Sequence, residues 1–172
     1  VALAEHCPHL CKVYLQTSDR NNDNSSGYCE LFRSCRQLKV VHCAGDVRIT
    51  NLETLACHCK ELTSVRLHGT NYFRSGEEPS APAVAALEDT VLVSLVQNNP
   101  NIELLELFSF RRLDDDTLLA VAHFLPNLHT FRLDCRQASL SALASIRATC
   151  TKLTTFEVYS RHRIAALETT EN

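Results

Sequence analysis

The 172-residue sequence predicts an α/β solenoid of about six repeats, with a curved parallel sheet on the concave face and helices on the convex face. Three observations predict it. A short core recurs at Asn99–Leu107, Leu125–Leu133 and Cys150–Val158, with starts 26 and 25 residues apart. Each copy carries an aliphatic anchor at its fourth position and apolar residues at its seventh and ninth, the period-2 spacing of one strand face. Ahead of each anchor lie two apolar residues and then the first residue of the core, at spacings of three and four, which share one helical face. A helix stripe packed on a strand face is one unit, and it buries both only when stacked on its neighbours.

The same register runs through the chain in order. Cys7 leads to the anchor Leu10 and the strand pair Val13 and Leu15. Tyr28, Leu31 and Cys35 form the next helix stripe, before Leu38, Val41 and Cys43. Leu52, Leu55 and Cys59 precede Leu62, Val65 and Leu67; Leu92, Leu95 and Asn99 precede Ile102, Leu105 and Leu107. Leu118, Val121 and Leu125 precede Leu128, Phe131 and Leu133, and Leu143, Ile146 and Cys150 precede Leu153, Phe156 and Val158. Strands are therefore expected near residues 12–15, 40–43, 64–67, 104–107, 130–133 and 155–158. Ile164 and Leu167 have the spacing of a further helix pair, so residues 1–172 read as one repeat segment of a longer array.

Two segments break the period. Residues 16–27 are polar and turn-rich, and residues 68–82 (with Ser75-Gly76-Glu77-Glu78-Pro79) form a loop insertion. Both follow a strand and precede a helix, so both leave the same rim, where insertions serve binding or are neutral lengthening.

Composition narrows the function classes. With 45% hydrophobic residues the chain buries a continuous core, and a net charge of −3 gives no electrostatic case for nucleic acid or a membrane surface. No run approaches the ~18 apolar residues of a membrane span. The nine cysteines are odd in number, and Cys7, Cys35, Cys59 and Cys150 share one repeat position at the helix end. Recurrent packing of a small apolar residue explains them, so they read as reduced thiols and place the chain in the cytoplasm or nucleus.

Cysteine at the helix end, leucine three residues later and then an apolar pair, at a period near 26, resembles the cysteine-containing subfamily of leucine-rich repeats. That subfamily is best known from F-box/LRR proteins, the substrate receptors of cullin-type ubiquitin ligases. The resemblance implies a protein-binding scaffold and covers nearly the whole chain; no F-box-like helical segment stands within it. One departure is clear. The family places Asn or Cys in the turn after the strand, where this sequence has Ser18, Asp46, Thr70, Phe110, Arg136 and Arg161. Phe110 offers no hydrogen bond and the arginines only donate, so looser turns are expected in the second half.

Candidate chemistry was weighed against packing. Cys57-His58-Cys59 and His6-Cys7-Pro8-His9 with Cys11 contain ligand residue types, but the paired C-x-x-C spacing of a zinc knuckle is missing. A Cys-dependent enzyme needs a base positioned beside the thiol, and nothing marks one out. Asp114-Asp115-Asp116 precedes a helix stripe and reads as capping rather than as a cation site. No catalytic, cofactor or metal residue is therefore assigned.

What remains is the outward side of the strands. Its central column reads Tyr14, His42, Arg66, Glu106, Arg132 and Glu157, and the next reads Gln16, Ala44, His68, Phe108, Asp134 and Tyr159. Aromatics and arginines are enriched at interface hot spots. The expected protein-binding surface is Tyr14, His42, Arg66, His68, Glu106, Phe108, Arg132, Asp134 and Tyr159. Pointing away from the core, Arg66 and Arg132 are expected to be removable with little effect on stability. The reading is a monomeric, non-enzymatic scaffold with a protein partner, its plausible role being substrate recognition in a ligase receptor; a structural or signalling scaffold unrelated to ubiquitin is the alternative.

Overall fold

The computed structural model describes residues 6–16, 25–44, 48–68, 81–108, 110, 113–135, 138–160 and 163–166. Strands and helices alternate: β1 (Lys12–Gln16), α1 (Ser25–Ser34), β2 (Val40–Ala44), α2 (Ile49–His58), β3 (Ser64–His68), α3 (Ala81–Asn98), β4 (Leu104–Phe108), α4 (Asp115–Phe124), β5 (Thr130–Asp134), α5 (Leu140–Thr149), β6 (Thr155–Ser160) and β7 (Arg163–Ala166). The first six strands pair in parallel and in consecutive order, in one curved, open sheet. Every expected strand lies in its expected register: Val13 is opposite Val41, Val65 opposite Leu105, Phe131 opposite Phe156. The chain is a leucine-rich-repeat solenoid.

The core runs between the inward strand residues and the helix stripes. Leu38, Leu62, Ile102 and Leu128 are fully buried anchors, and Val41, Val65, Leu105 and Phe131 are fully buried beneath the sheet. Leu31, Leu52, Leu55, Leu92, Leu95, Leu118, Val121 and Ile146 meet them from the helices. Phe131 and Phe156 stack at 5.9 Å, so adjacent repeats share one continuous apolar interior.

Each repeat is also tied to the next by backbone. The carbonyl of Cys11 accepts from the amides of Lys39 and Val40, at 2.8 and 3.1 Å, and the pattern recurs at Lys39, Thr63, Glu103 and His129. Chain entry into each strand from β2 to β6 is thus hydrogen-bonded to the previous strand's entry, which satisfies polar groups that burial would otherwise leave unpaired. The helix-end cysteines have a matching role. Cys35 donates its thiol to the carbonyl of Cys7 at 3.2 Å, Cys59 to Phe32 at 3.6 Å and Cys150 to Leu125 at 3.6 Å. Asn99 occupies the same position fully buried; it accepts from the Leu62 amide and donates to the Leu95 carbonyl, both at 3.0 Å.

Asp114 caps α4, accepting from the Thr117 amide at 2.8 Å, and Ser139 caps α5, accepting from Ala142. The capping reading of the acidic triplet holds for Asp114, while Asp115 does something more. Its carboxylate accepts from the amide of Ser139 in the next repeat at 3.0 Å, and Asp89 accepts in the same way from the amide of Asp114 at 3.3 Å.

Three expectations are corrected. Ile164 does not start a helix: residues 163–166 form β7, antiparallel to β6, with Tyr159 opposite Ile164. One pair of apolar residues is too little to fix a helical period, and pairing satisfies the open edge of β6. The insertion does not extend to residue 82, because α3 begins at Ala81 and runs for 18 residues against 10 in each other helix. Pro82 lies in its first turn, where no intrahelical amide is needed. Part of the long gap between Leu62 and Ile102 is therefore helix. Finally, the turn after β4 is filled rather than loose: Phe110 and Leu113 are buried, and Cys135 packs there with its thiol toward the Leu113 carbonyl. Residues 17–24 and 69–80, and the turn positions Ser18, Asp46, Thr70, Arg136 and Arg161, lie outside the described residues.

Candidate functional site

Strand pleating sets alternate residues outward, and parallel registration aligns them into columns. Tyr14 is opposite His42, His42 opposite Arg66, Arg66 opposite Glu106, Glu106 opposite Arg132 and Arg132 opposite Glu157. From β3 to β6 the column alternates positive and negative, and neighbouring strands are close enough for each pair to meet.

They form one chain of ion pairs. Arg66 holds one carboxylate oxygen of Glu106 through Nε, and Arg132 holds the other through Nη1 at 2.8 Å. Arg132 then turns Nε to Glu157 at 2.9 Å, and the Tyr159 hydroxyl donates to the same carboxylate. Neither arginine's Nε–H is aligned as a hydrogen bond, so these two contacts are coulombic. The result reverses one expectation. Glu106 is only 1% exposed, although it points away from the core, because the two guanidiniums cover it. Arg66 and Arg132, 40% and 34% exposed, are thus structural counter-ions and not merely outward contact groups. Removing them is not neutral, because a buried carboxylate needs its partners.

Aromatic pairs flank the ion chain. Tyr14, 68% exposed, meets the His42 ring edge-on at 5.0 Å, and His42 Nε2 bonds to the Ser64 hydroxyl at 2.9 Å. His68 and Phe108 lie together at 4.9 Å, both half-buried. Burial, and after it the nearby Arg66 charge, holds both imidazoles below their ordinary value, so they are neutral at pH 7. The Tyr159 hydroxyl in turn lowers the Glu157 carboxyl, while its own proton is held more tightly. Asp134 stands opposite Tyr159 but outside the ion chain, half-buried. The structure thus gathers Arg66, Glu106, Arg132 and Tyr159 into one network and sets Tyr14–His42 and His68–Phe108 beside it. Two participants were missing from the expected set: Glu157, which links Arg132 to Tyr159, and Ser64. Glu157 was legible in principle from the alternation of charge along the column.

The Ser64–His42 contact has the spacing of a nucleophile and base, but among the described residues no carboxylate bonds the other ring nitrogen to orient it. The buried thiols are poor nucleophiles: Cys43 and Cys59 are pushed up to about 12, chiefly by burial. Among the described residues, no cluster of three or more His, Cys, Asp or Glu is placed to hold a metal ion. No helix among them is long and apolar enough to cross a membrane. The arrangement is a broad face of rings and paired charges on one sheet.

No family model matches the sequence, and no curated protein matches it. Among solved structures, the chain is similar to one in the crystal structure of the Rad7 and Elc1 complex in yeast, with a TM-score of 0.52 and 16% identity. The likeness covers 92% of this chain and 45% of that one, so this chain spans less than half the length of its structural neighbour. At that identity the likeness shows the repeat fold.

Proposed function

We propose that this chain is a non-enzymatic protein-binding scaffold whose concave sheet face receives its partner, as a substrate-recognition segment resembling those of F-box/LRR ubiquitin-ligase receptors. The observation that carries the binding reading is the face itself. A continuous row from Tyr14 to Tyr159 crosses six strands, rich in arginine and aromatic groups, exposed or half-buried except at the covered Glu106, and locked from β3 to β6 by its own ion pairs. A face fixed before binding loses little side-chain entropy on contact. The ligase role rests on the resemblance carried by the cysteine pattern at the helix ends; the structural neighbour, crystallised in complex with another protein, supports protein partnership.

Photo-crosslinking tests the binding reading. A benzophenone amino acid at the exposed face positions Gln16 or Ala44 should capture a protein partner in cells, whereas the same group at Arg33 or Arg147 on the helices should not. Capture only from the helix positions would place the binding surface on the other side. For the ligase role, depletion of the protein should slow ubiquitylation of the captured partner. Unchanged ubiquitylation favours the scaffold unrelated to ubiquitin.

A further inference from the structure

The concave face is electrically divided. On β1, β2 and β3 its outward positions carry Lys12 and Arg66, no carboxylate, and the histidines 42 and 68. On β4, β5 and β6 they carry three carboxylates, Glu106, Asp134 and Glu157, against the single guanidinium of Arg132. The two arginines differ accordingly. Arg132 has all three guanidinium nitrogens engaged, with Nη1 on Glu106 and with Nε and Nη2 toward Glu157. Arg66 approaches Glu106 with Nε; its terminal nitrogens make no hydrogen bond among the described residues, and its side chain is 40% exposed. A guanidinium with both terminal nitrogens open is a fork shaped for a carboxylate.

Its surroundings complete the site. His42 lies opposite Arg66 on β2, and His68 is two residues further along β3, stacked on Phe108 of β4. From Arg66 to the His68–Phe108 pair is a step of two strand residues, roughly 7 Å. An extended chain places residues i and i+2 on one face at that same spacing. We infer that the Arg66 end of the face receives an extended acidic segment of the partner protein, with an Asp or Glu carboxylate on the Arg66 terminal nitrogens and an apolar side chain two residues away on the His68–Phe108 pair. This rests on the concave face being the binding surface, and it adds which half of the face takes which chemistry. The carboxylate-rich half, β4 to β6, would repel the same segment and so confine it to the β1–β3 side of the face.

The test is selection of 12-residue peptides from a random phage library on the whole chain, followed by affinity measurement on synthetic copies. The expected binders carry Asp or Glu with an apolar residue two positions away. Replacing that acidic residue by its amide in the peptide should cost about tenfold or more, the loss expected of a charge-assisted pair. Because the change is in the peptide, it leaves the fold untouched. On the protein side, Arg66→Lys retains a charge for Glu106 but loses the fork, and should weaken the acidic peptide while leaving its amide version unchanged. Side-chain NMR signals of Arg66 and His68 should move on binding. Binders indifferent to the amide change, binders that shift only Asp134 and Tyr159, or a library that yields no face-binding peptide would each overturn the inference. A phosphoserine peptide that outcompetes the glutamate peptide would overturn the carboxylate assignment. Crosslinking from Gln16 or Ala44 stands apart from all of these, so the face can hold as a binding surface while the acidic segment fails.

Discussion

Replacing Arg132 by alanine removes two contacts of different worth. The pair with Glu157 is between half-exposed groups and contributes at most ~1 kcal/mol. The contact with Glu106 matters more, because that carboxylate is 1% exposed and would keep only the Nε of Arg66. A buried acceptor that loses a partner costs about 1–3 kcal/mol and a charged one more, offset here because truncating the arginine also lets water approach. Arg132→Ala should therefore destabilise the fold by about 2 kcal/mol in urea titration. Glu106→Leu should cost far less, since an apolar group of similar volume removes the buried charge as well as its partner. In the Glu106→Leu background, Arg132→Ala should cost no more than ~1 kcal/mol. The double-mutant cycle thus predicts a coupling of at least ~1 kcal/mol. Equal costs in the two backgrounds would refute the view that Arg132 neutralises a buried Glu106.

Other outcomes follow from the same structure. His42 and His68 are held below the ordinary imidazole value of about 6.5, so the unfolded chain takes up their protons first as pH falls. Stability should be full well above that value and decline as pH falls through and below it, and His42→Asn with His68→Asn should flatten the decline in urea midpoints. Asn99→Ala strands the Leu62 amide and the Leu95 carbonyl and should cost about 2–4 kcal/mol, read by thermal or urea unfolding. With a thiol reagent at pH 8, Cys11 and Cys57, which are exposed, should react at once, whereas Cys43 and Cys59 should react only after denaturation. Prompt reaction of Cys59 would mean that the helix end opens in the native state.

The register of the solenoid was readable because two independent periods coincide at each repeat. Leu52, Leu55 and Cys59 demand a helix face, and Val65 and Leu67 demand a strand face, at a fixed distance from Leu62. At Ile164 and Leu167 only the first signal was present, and the segment from Arg163 became a strand. The candidate face was readable as columns, since pleating alone decides which residues point outward. Its energetics were not. Seen along its own strand, Glu106 is a charge among leucines and looks solvated; its burial comes from Arg66 and Arg132, residues 40 positions before it and 26 after it in the chain. Such cover is a property of strands brought side by side. The inter-repeat role of Asp115 was hidden for the same reason, because its acceptor geometry depends on where Ser139 arrives.

That role bears on how the molecule comes apart. In a solenoid each unit answers only to its neighbours, so the strength of each junction sets where unfolding halts. Asp89 clasps the start of α4 through the Asp114 amide and the Thr117 hydroxyl, and Asp115 clasps the start of α5 through Ser139. In α2 the equivalent position is Ile49, which has no carboxylate to offer the start of α3. The starts of α4 and α5 are therefore each latched to the helix before, from Asp89 within α3 and from Asp115 at the head of α4. By contrast, α2 and α3 are joined through Asn98, whose Nδ2 donates to the Ala56 carbonyl at 3.4 Å. Amide exchange should show the first turns of α4 and α5 opening together with the helix that latches each, and Asp115→Ala should uncouple α5 from α4.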